Sequence, residues 1–233
     1  ALGAQSPISF DVGGYAFSNT ILNLDVSKNL NDMISIAFGA EYKEDLFSST
    51  AGQEESYVDG GAQSFPGLQP SNEVSESRNN IGAYASIDYE ATDKLLVTGA
   101  ARYESFSDFG DNTSWKIGGR YILGDNRGAI RASIGTGFRA PSLHQIYLSN
   151  VQTLVSGGTI SNQGTFNNVD PIIRDGLEVP QLTAETSANI SAGITYKITP
   201  DFSVAIDGYQ IDVEGRVVFS GEIGFDGDDA TTN

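Results

Sequence analysis

Hydrophobic and polar residues alternate with a period of two along most of this chain, which predicts strands with two unlike faces. The predicted strands are Asn19–Lys28, Met33–Glu44, Asn80–Glu90, Lys94–Ser107, Thr113–Leu123, Gly128–Phe138, Ser187–Ile198 and a last one from Phe202. In the third, Ile81, Ala83, Ala85, Ile87 and Tyr89 share one face, and Gly82, Tyr84, Ser86 and Asp88 the other. In the fifth, Trp115, Ile117, Gly119, Tyr121 and Leu123 oppose Lys116, Gly118 and Arg120. The last strand changes phase, from Phe202, Val204 and Ile206 to Tyr209, Ile211 and Val213, and a bulge at Gly208 is expected to absorb the slip. No stretch of comparable length shows a helical period.

The connections carry more information than the strands. "KNLND", "ATD", "GDNR" and "TPD" join successive pairs and hold the residues that tight hairpin turns require. The intervening connections differ: Leu46–Asn79 and Arg139–Glu185 are long and rich in Gly, Ser and Asn, and Ser107–Asn112 is shorter. Short turns at one end and longer loops at the other are the layout of an outer-membrane barrel. A soluble sandwich or meander also alternates. Several segments, however, reach about ten residues, beyond the usual ~5–6 of soluble strands and suited to a tilted membrane crossing. The expected fold is all-β: an antiparallel up-and-down meander of about eight strands, part of a larger transmembrane β-barrel.

Composition narrows the function. The 233 residues contain no Cys, which removes disulfides and Cys-based metal sites or nucleophiles. A formal net charge of −17 argues against nucleic-acid binding, which needs Lys and Arg to displace counterions. No apolar run is long enough for a transmembrane helix, and the chain does not open on a basic segment followed by an apolar one.

The stretch "GTGFRAPSLHQIY", Gly135 to Tyr147, begins as a strand end and then breaks at Arg139-Ala140-Pro141. Pro141 cannot donate to a ladder and biases Ala140 towards an extended conformation. The expectation is that Phe138 marks the membrane edge and that an extracellular loop starts here. With "WKIGGRYIL" before it and "LTAETSANISAGITYKI" and "VAIDGYQIDVEGRVVFSG" after it, this element resembles the C-terminal barrel half of TonB-dependent outer-membrane receptors, from about Asn80 to Gly221. One departure is Leu182-Thr183-Ala184-Glu185, where the family commonly has Leu-x-Pro-Glu.

The resemblance implies TonB-dependent active uptake of a scarce solute, of the metal-chelate, cobalamin or glycan class, across the bacterial outer membrane. It implies four partners: outer-membrane lipid, a plug domain, the TonB complex and the small solute. A barrel with a structural, adhesive or assembly role is the other class, which an upstream plug and TonB box would exclude. About eight strands are visible against about 22 in plugged transporters, and the run would start and end outside. Residues 1–233 are therefore expected to be one part of a receptor barrel, with the plug and the closing C-terminal strand elsewhere.

The loop aromatics Tyr57, Phe65 and Phe166 are candidates for stacking on a ligand, or for packing within their own loops. Arg102, Arg120 and Arg131 are candidates for contact with the plug from the polar face. Centring the "GDNR" turn on Asp125-Asn126 sets Arg120 opposite Arg131, a like-charge pair that calls for a carboxylate. That carboxylate is expected on a neighbouring strand or on the plug. Ser142 and His144 lack a positioned acid or oxyanion donor, so no enzyme is expected. Asp108, Asp111 and Asn112, and likewise Asp226, Asp228 and Asp229, do not complete a calcium loop. No metal or cofactor is expected.

Overall fold

A computed structural model describes residues 7–58, 66–124, 126–156 and 159–221. Eight strands form one antiparallel sheet: β1 (Gly14–Asn29), β2 (Ile34–Thr50), β3 (Val74–Thr92), β4 (Leu95–Phe106), β5 (Gly110–Ile122), β6 (Gly128–Arg139), β9 (Glu185–Thr199) and β10 (Phe202–Glu214). Between β6 and β9 lie a short helix, α1 (Leu143–Tyr147), and a separate hairpin of β7 (Asn150–Ser156) and β8 (Thr159–Thr165). Every main-sheet strand pairs with its sequence neighbours, apart from the hairpin's excursion. The expected meander is therefore present, and the long connections after β2 and β6 leave from the same end.

Side-chain chemistry fixes the tight turns. Asn31 Oδ1 accepts from the backbone N–H groups of Met33 and Ile34, each at 2.9 Å, and closes the β1–β2 turn. Thr92 Oγ1 does the same for Lys94 and Leu95 at the β3–β4 turn. After β5, Asn126 adopts a φ of 56°, a conformation Asn tolerates better than most residues. The Arg127 side chain then donates to the carbonyls of Lys197 and Ile198, tying this turn to β9.

Pairing sorts the side chains onto two faces. Ile36, Ile87, Val97, Ile117, Ile134 and Ile194 share one, and Asp88, Arg102, Arg120 and Arg131 the other, as the alternation predicts. The apolar face is uncovered: Leu22 is 71 % exposed, Ile117 54 % and Ile190 54 %. An apolar band across eight strands far exceeds the patches that soluble monomers leave in water, and marks a surface made for lipid or protein. Tyr42, Tyr103 and Trp115 border it towards the loop end, and Tyr89 and Tyr121 towards the turn end. Its extent from Ile81 to Tyr89 suits the ~9–11 residues of a tilted crossing.

Several strands run past this band, which the alternation did not predict. β1 starts at Gly14, β2 ends at Thr50 and β3 starts at Val74. In the β1 extension the polarity of the two faces reverses: Ala16, Ser18 and Thr20 continue the apolar face, whereas Tyr15 and Phe17 lie on the polar one. The phase change in β10 has the same cause. Asp207, Gly208 and Tyr209 pair without interruption to Gly193, Ala192 and Ser191, so Gly208 is not a bulge. The one shift lies between Phe202 and Ser203, and Tyr209, Ile211 and Val213 simply lie on the polar face.

The small buried core lies over the loop-end half of the polar face, not between two sheets. Phe47 from β2, Leu68 from the β2–β3 connection, and Leu143 and Ile146 from α1 are its buried apolar residues. The β4–β5 connection is a three-residue turn, shorter than expected, because β5 begins at Gly110.

Candidate functional site

The polar face carries both signs in unequal shares. β1–β3 carry Asp25, Glu41, Asp45, Asp88 and Glu90 together with Lys43 and Arg78, while β4–β6 carry Arg102, Lys116, Arg120, Arg131 and Arg139 together with Glu104. Three contacts span a middle strand by passing over a glycine. Arg102 Nη2 reaches Glu41 Oε1 at 2.8 Å over Gly82, and also Glu104 at 3.1 Å. Tyr84 donates to Asp25 Oδ1 at 2.7 Å over Gly39, where a Cβ would come within 2.6 Å of the Tyr84 ring. Arg131 binds both oxygens of Asp207 at 2.6 Å over Gly193, whose missing Cβ leaves room for the carboxylate.

The centre of the loop-end half is Arg78, which the sequence reading passed over. Its side chain is 3 % exposed. Nε and Nη2 donate to the Asp108 carboxylate at 2.6–2.9 Å, and Nη1 donates to the Pro141 carbonyl at 2.7 Å. The guanidinium also lies 5.1 Å from the Phe109 ring centroid and 5.9 Å from that of Phe106. Arg78 thus pins the β4–β5 turn and the chain after β6 to the inside of β3. Asp108 is committed here, which takes it out of the expected acidic cluster with Asp111 and Asn112.

This explains the break at "FRAPSLHQIY". β5 and β6 pair only from Lys116–Gly135 to Ile122–Ala129; beyond Gly135, β6 follows β9 alone. The Phe138 ring meets Phe106 edge-on at 5.9 Å. Past Pro141 the chain folds onto the polar face instead of leaving as an outward loop. Leu143 and Ile146, three apart on α1, share one side of the helix and are 2 % and 5 % exposed. Burial raises the Tyr147 phenol pKa, with Glu76 and Asp108 adding to the effect. Farther along, Asn168 donates its backbone N–H to the Ile146 carbonyl and holds Pro180 and Leu182 with its side chain. Glu185 is 8 % exposed and lies 3.6 Å from Arg139.

A profile described as TonB dependent receptor-like, beta-barrel, matches residues 4–233. The chain belongs to this family. It is a bacterial outer-membrane protein, and its relatives are transporters and receptors, not enzymes. It is 29 % identical over 113 residues to the vitamin B12 transporter BtuB of Vibrio vulnificus, covering 48 % of this chain and 16 % of that protein. Among solved structures it is similar to the ferric enterobactin receptor PfeA of Pseudomonas aeruginosa, with a TM-score of 0.62 and 20 % identity over 85 % of this chain and 27 % of that one. The siderophore receptor PirA of the same organism gives a TM-score of 0.61 and 18 % identity over 86 % and 33 %. The chain thus spans about a sixth of the curated relative and a quarter to a third of these structures.

Within this receptor-barrel segment the expected site residues separate. Tyr57 is half-buried beside the short turn Glu54–Ser56, and Phe166 is 44 % exposed just past β8. Neither lines the cavity under α1. Phe65 and Asp226, Asp228 and Asp229 lie outside the described residues. Arg120 does face Arg131 across β5–β6, and the carboxylate that Arg131 binds is on a nearby strand. Among the described residues Arg120 has no ion-pair or hydrogen-bond partner, nor has Lys116, two pleat repeats away on the same face beyond Gly118. Ser142 Oγ donates to Gln145 at 2.9 Å as part of the α1 start and lies 3.4 Å from His144 Nε2.

Proposed function

We propose that this chain is one section of the wall of an outer-membrane receptor that takes up a scarce solute by TonB-dependent active transport. The family match over residues 4–233 carries this reading. The apolar face rests against lipid. The polar face surrounds a plug domain supplied by another part of the receptor, and the inward-folded chain after β6 overhangs the path of the solute. The named relatives transport vitamin B12 or bind ferric enterobactin, and both are solutes of the expected classes.

Of the three arginines expected at the plug, Arg102 and Arg131 are neutralised within the wall. Contact with plug carboxylates therefore falls to Arg120, with Lys116 farther along the same face of β5. The test is uptake by cells producing the full-length receptor, with radiolabelled cyanocobalamin, ferric enterobactin and maltoheptaose as probes. Accumulation that disappears without TonB supports the proposal. A receptor that accumulates none of the three probes above the level of cells lacking TonB overturns it in favour of a structural or adhesive role.

A further inference from the structure

The chain after β6 roofs a cavity of about 360 Å³ on the polar face, within the range of small-molecule sites. Its walls are unlike. Phe17, Phe106 and Phe138 supply aromatic surface, and Glu41, Asp45 and Glu104 supply carboxylates. The cations here are already engaged. Lys43 Nζ lies 3.0 Å from Asp45, Arg78 is held by Asp108 and Pro141, and neighbouring Arg102 is shared by Glu41 and Glu104. What remains is capacity to accept hydrogen bonds. Asn80 lines the cavity and is 4 % exposed. Its Nδ2 donates to Glu104 at 2.8 Å, while its Oδ1 receives no donor. A buried amide oxygen in that state destabilises the fold unless a donor reaches it.

We propose that this cavity is a solute-binding site for a neutral group rich in hydroxyl or amide N–H donors, and that it rejects anionic chelates. The proposal rests on the uptake reading and names its substrate class. A donor on the solute satisfies the Asn80 oxygen and the free carboxylate lone pairs, and the solute's apolar face stacks on the phenylalanines. An anion entering the same space finds Lys43, Arg78 and Arg102 each already matched by a carboxylate, and gains no uncommitted cation.

The test is binding to the purified full-length receptor in detergent, with cyanocobalamin and maltoheptaose as neutral probes and ferric enterobactin as the anionic one. The expected result is that a neutral probe binds and ferric enterobactin does not. Asn80→Leu then weakens the neutral probe about tenfold. Phe17→Ala, at a half-exposed position that folding tolerates, weakens it roughly threefold to tenfold and serves if Asn80→Leu does not fold. Tighter binding of ferric enterobactin, failure of both neutral probes, or unchanged affinity in the variants overturns the proposal; unchanged affinity also follows if a plug loop fills the cavity. TonB-dependent accumulation of ferric enterobactin alone would refute this inference and leave the uptake reading standing.

Discussion

Replacing Arg78 with Leu should release the chain after β6 from the polar face while the sheet below stays intact. The substitution removes a bidentate ion pair, the hydrogen bond to the Pro141 carbonyl and two aromatic contacts. Breaking a buried pair costs about 3–5 kcal/mol, chiefly because the partner charge is stranded. Asp108 is 18 % exposed, so water solvates part of the abandoned carboxylate and about 3 kcal/mol is the better figure. That energy opposes opening of α1, whose turn is closed by the amides of Gln145, Ile146 and Leu148. Their hydrogen exchange should accelerate about 100-fold. Arg78→Lys should fall between, because an ammonium cannot serve both Asp108 oxygens and the carbonyl together. Exchange measured by mass spectrometry on the receptor in nanodiscs reads this directly, with the β5–β6 amides as an internal control. Unchanged exchange at Gln145, Ile146 and Leu148 would refute the reasoning and leave Leu143 and Ile146 as the sole anchors.

Three further outcomes follow from the faces and the charge pattern. Ile117→Arg should impair folding into liposomes far more than Arg120→Ala, since a lipid-facing cation costs roughly 2–4 kcal/mol near the midplane; equal folding yields would count against the assigned faces. The Arg131–Asp207 pair is about half exposed on both sides, so a double-mutant cycle should return no more than about 1 kcal/mol, and a clearly larger coupling would contradict that. Combined Lys116→Ala and Arg120→Ala should loosen the plug and let small solutes leak through the full-length receptor; a tight double variant with normal uptake would remove the plug-seating role.

The sequence made the strands legible only where they cross the apolar band, because there the two faces differ in a constant sense. Beyond Tyr42 or Ile81 the same backbone continues with polar residues on both faces, such as Glu44 and Ser48 outside and Lys43, Asp45 and Arg78 inside, and in β1 and β10 Tyr15, Phe17 and Tyr209 lie inside, so the period-2 signal cancels or reverses. That reversal imitated a bulge at Gly208. The Arg120–Arg131 register was legible because a tight turn fixes pairing by counting. Arg78 was not legible. It sits in the polar run "VSESRNN", its carboxylate partner lies in the β4–β5 turn, and its third ligand is a backbone carbonyl. The inward fold of "APSLHQIY" was hidden for a similar reason: the spacing of Leu143 and Ile146 is helical, but over too short a stretch to stand out. Glycines such as Gly82 and Gly193 read as neutral breaks in alternation, whereas each clears the way for a contact between strands two apart.

The central claim is that this sheet is a membrane wall with its polar face turned to the lumen. This chain has no Cys, so single cysteines for spin labels can be placed at will within it. Labels at Ile36, Ile87, Ile117 and Ile134, and at Lys116, Gly118, Arg120 and Ser133, should be measured in the full-length receptor reconstituted in lipid. The account predicts that labels in the first set relax with dissolved oxygen, and that those in the second respond instead to a water-soluble nickel chelate or are shielded from both by the plug. Loss of the alternation along Lys116–Arg120, or its opposite phase, would contradict it.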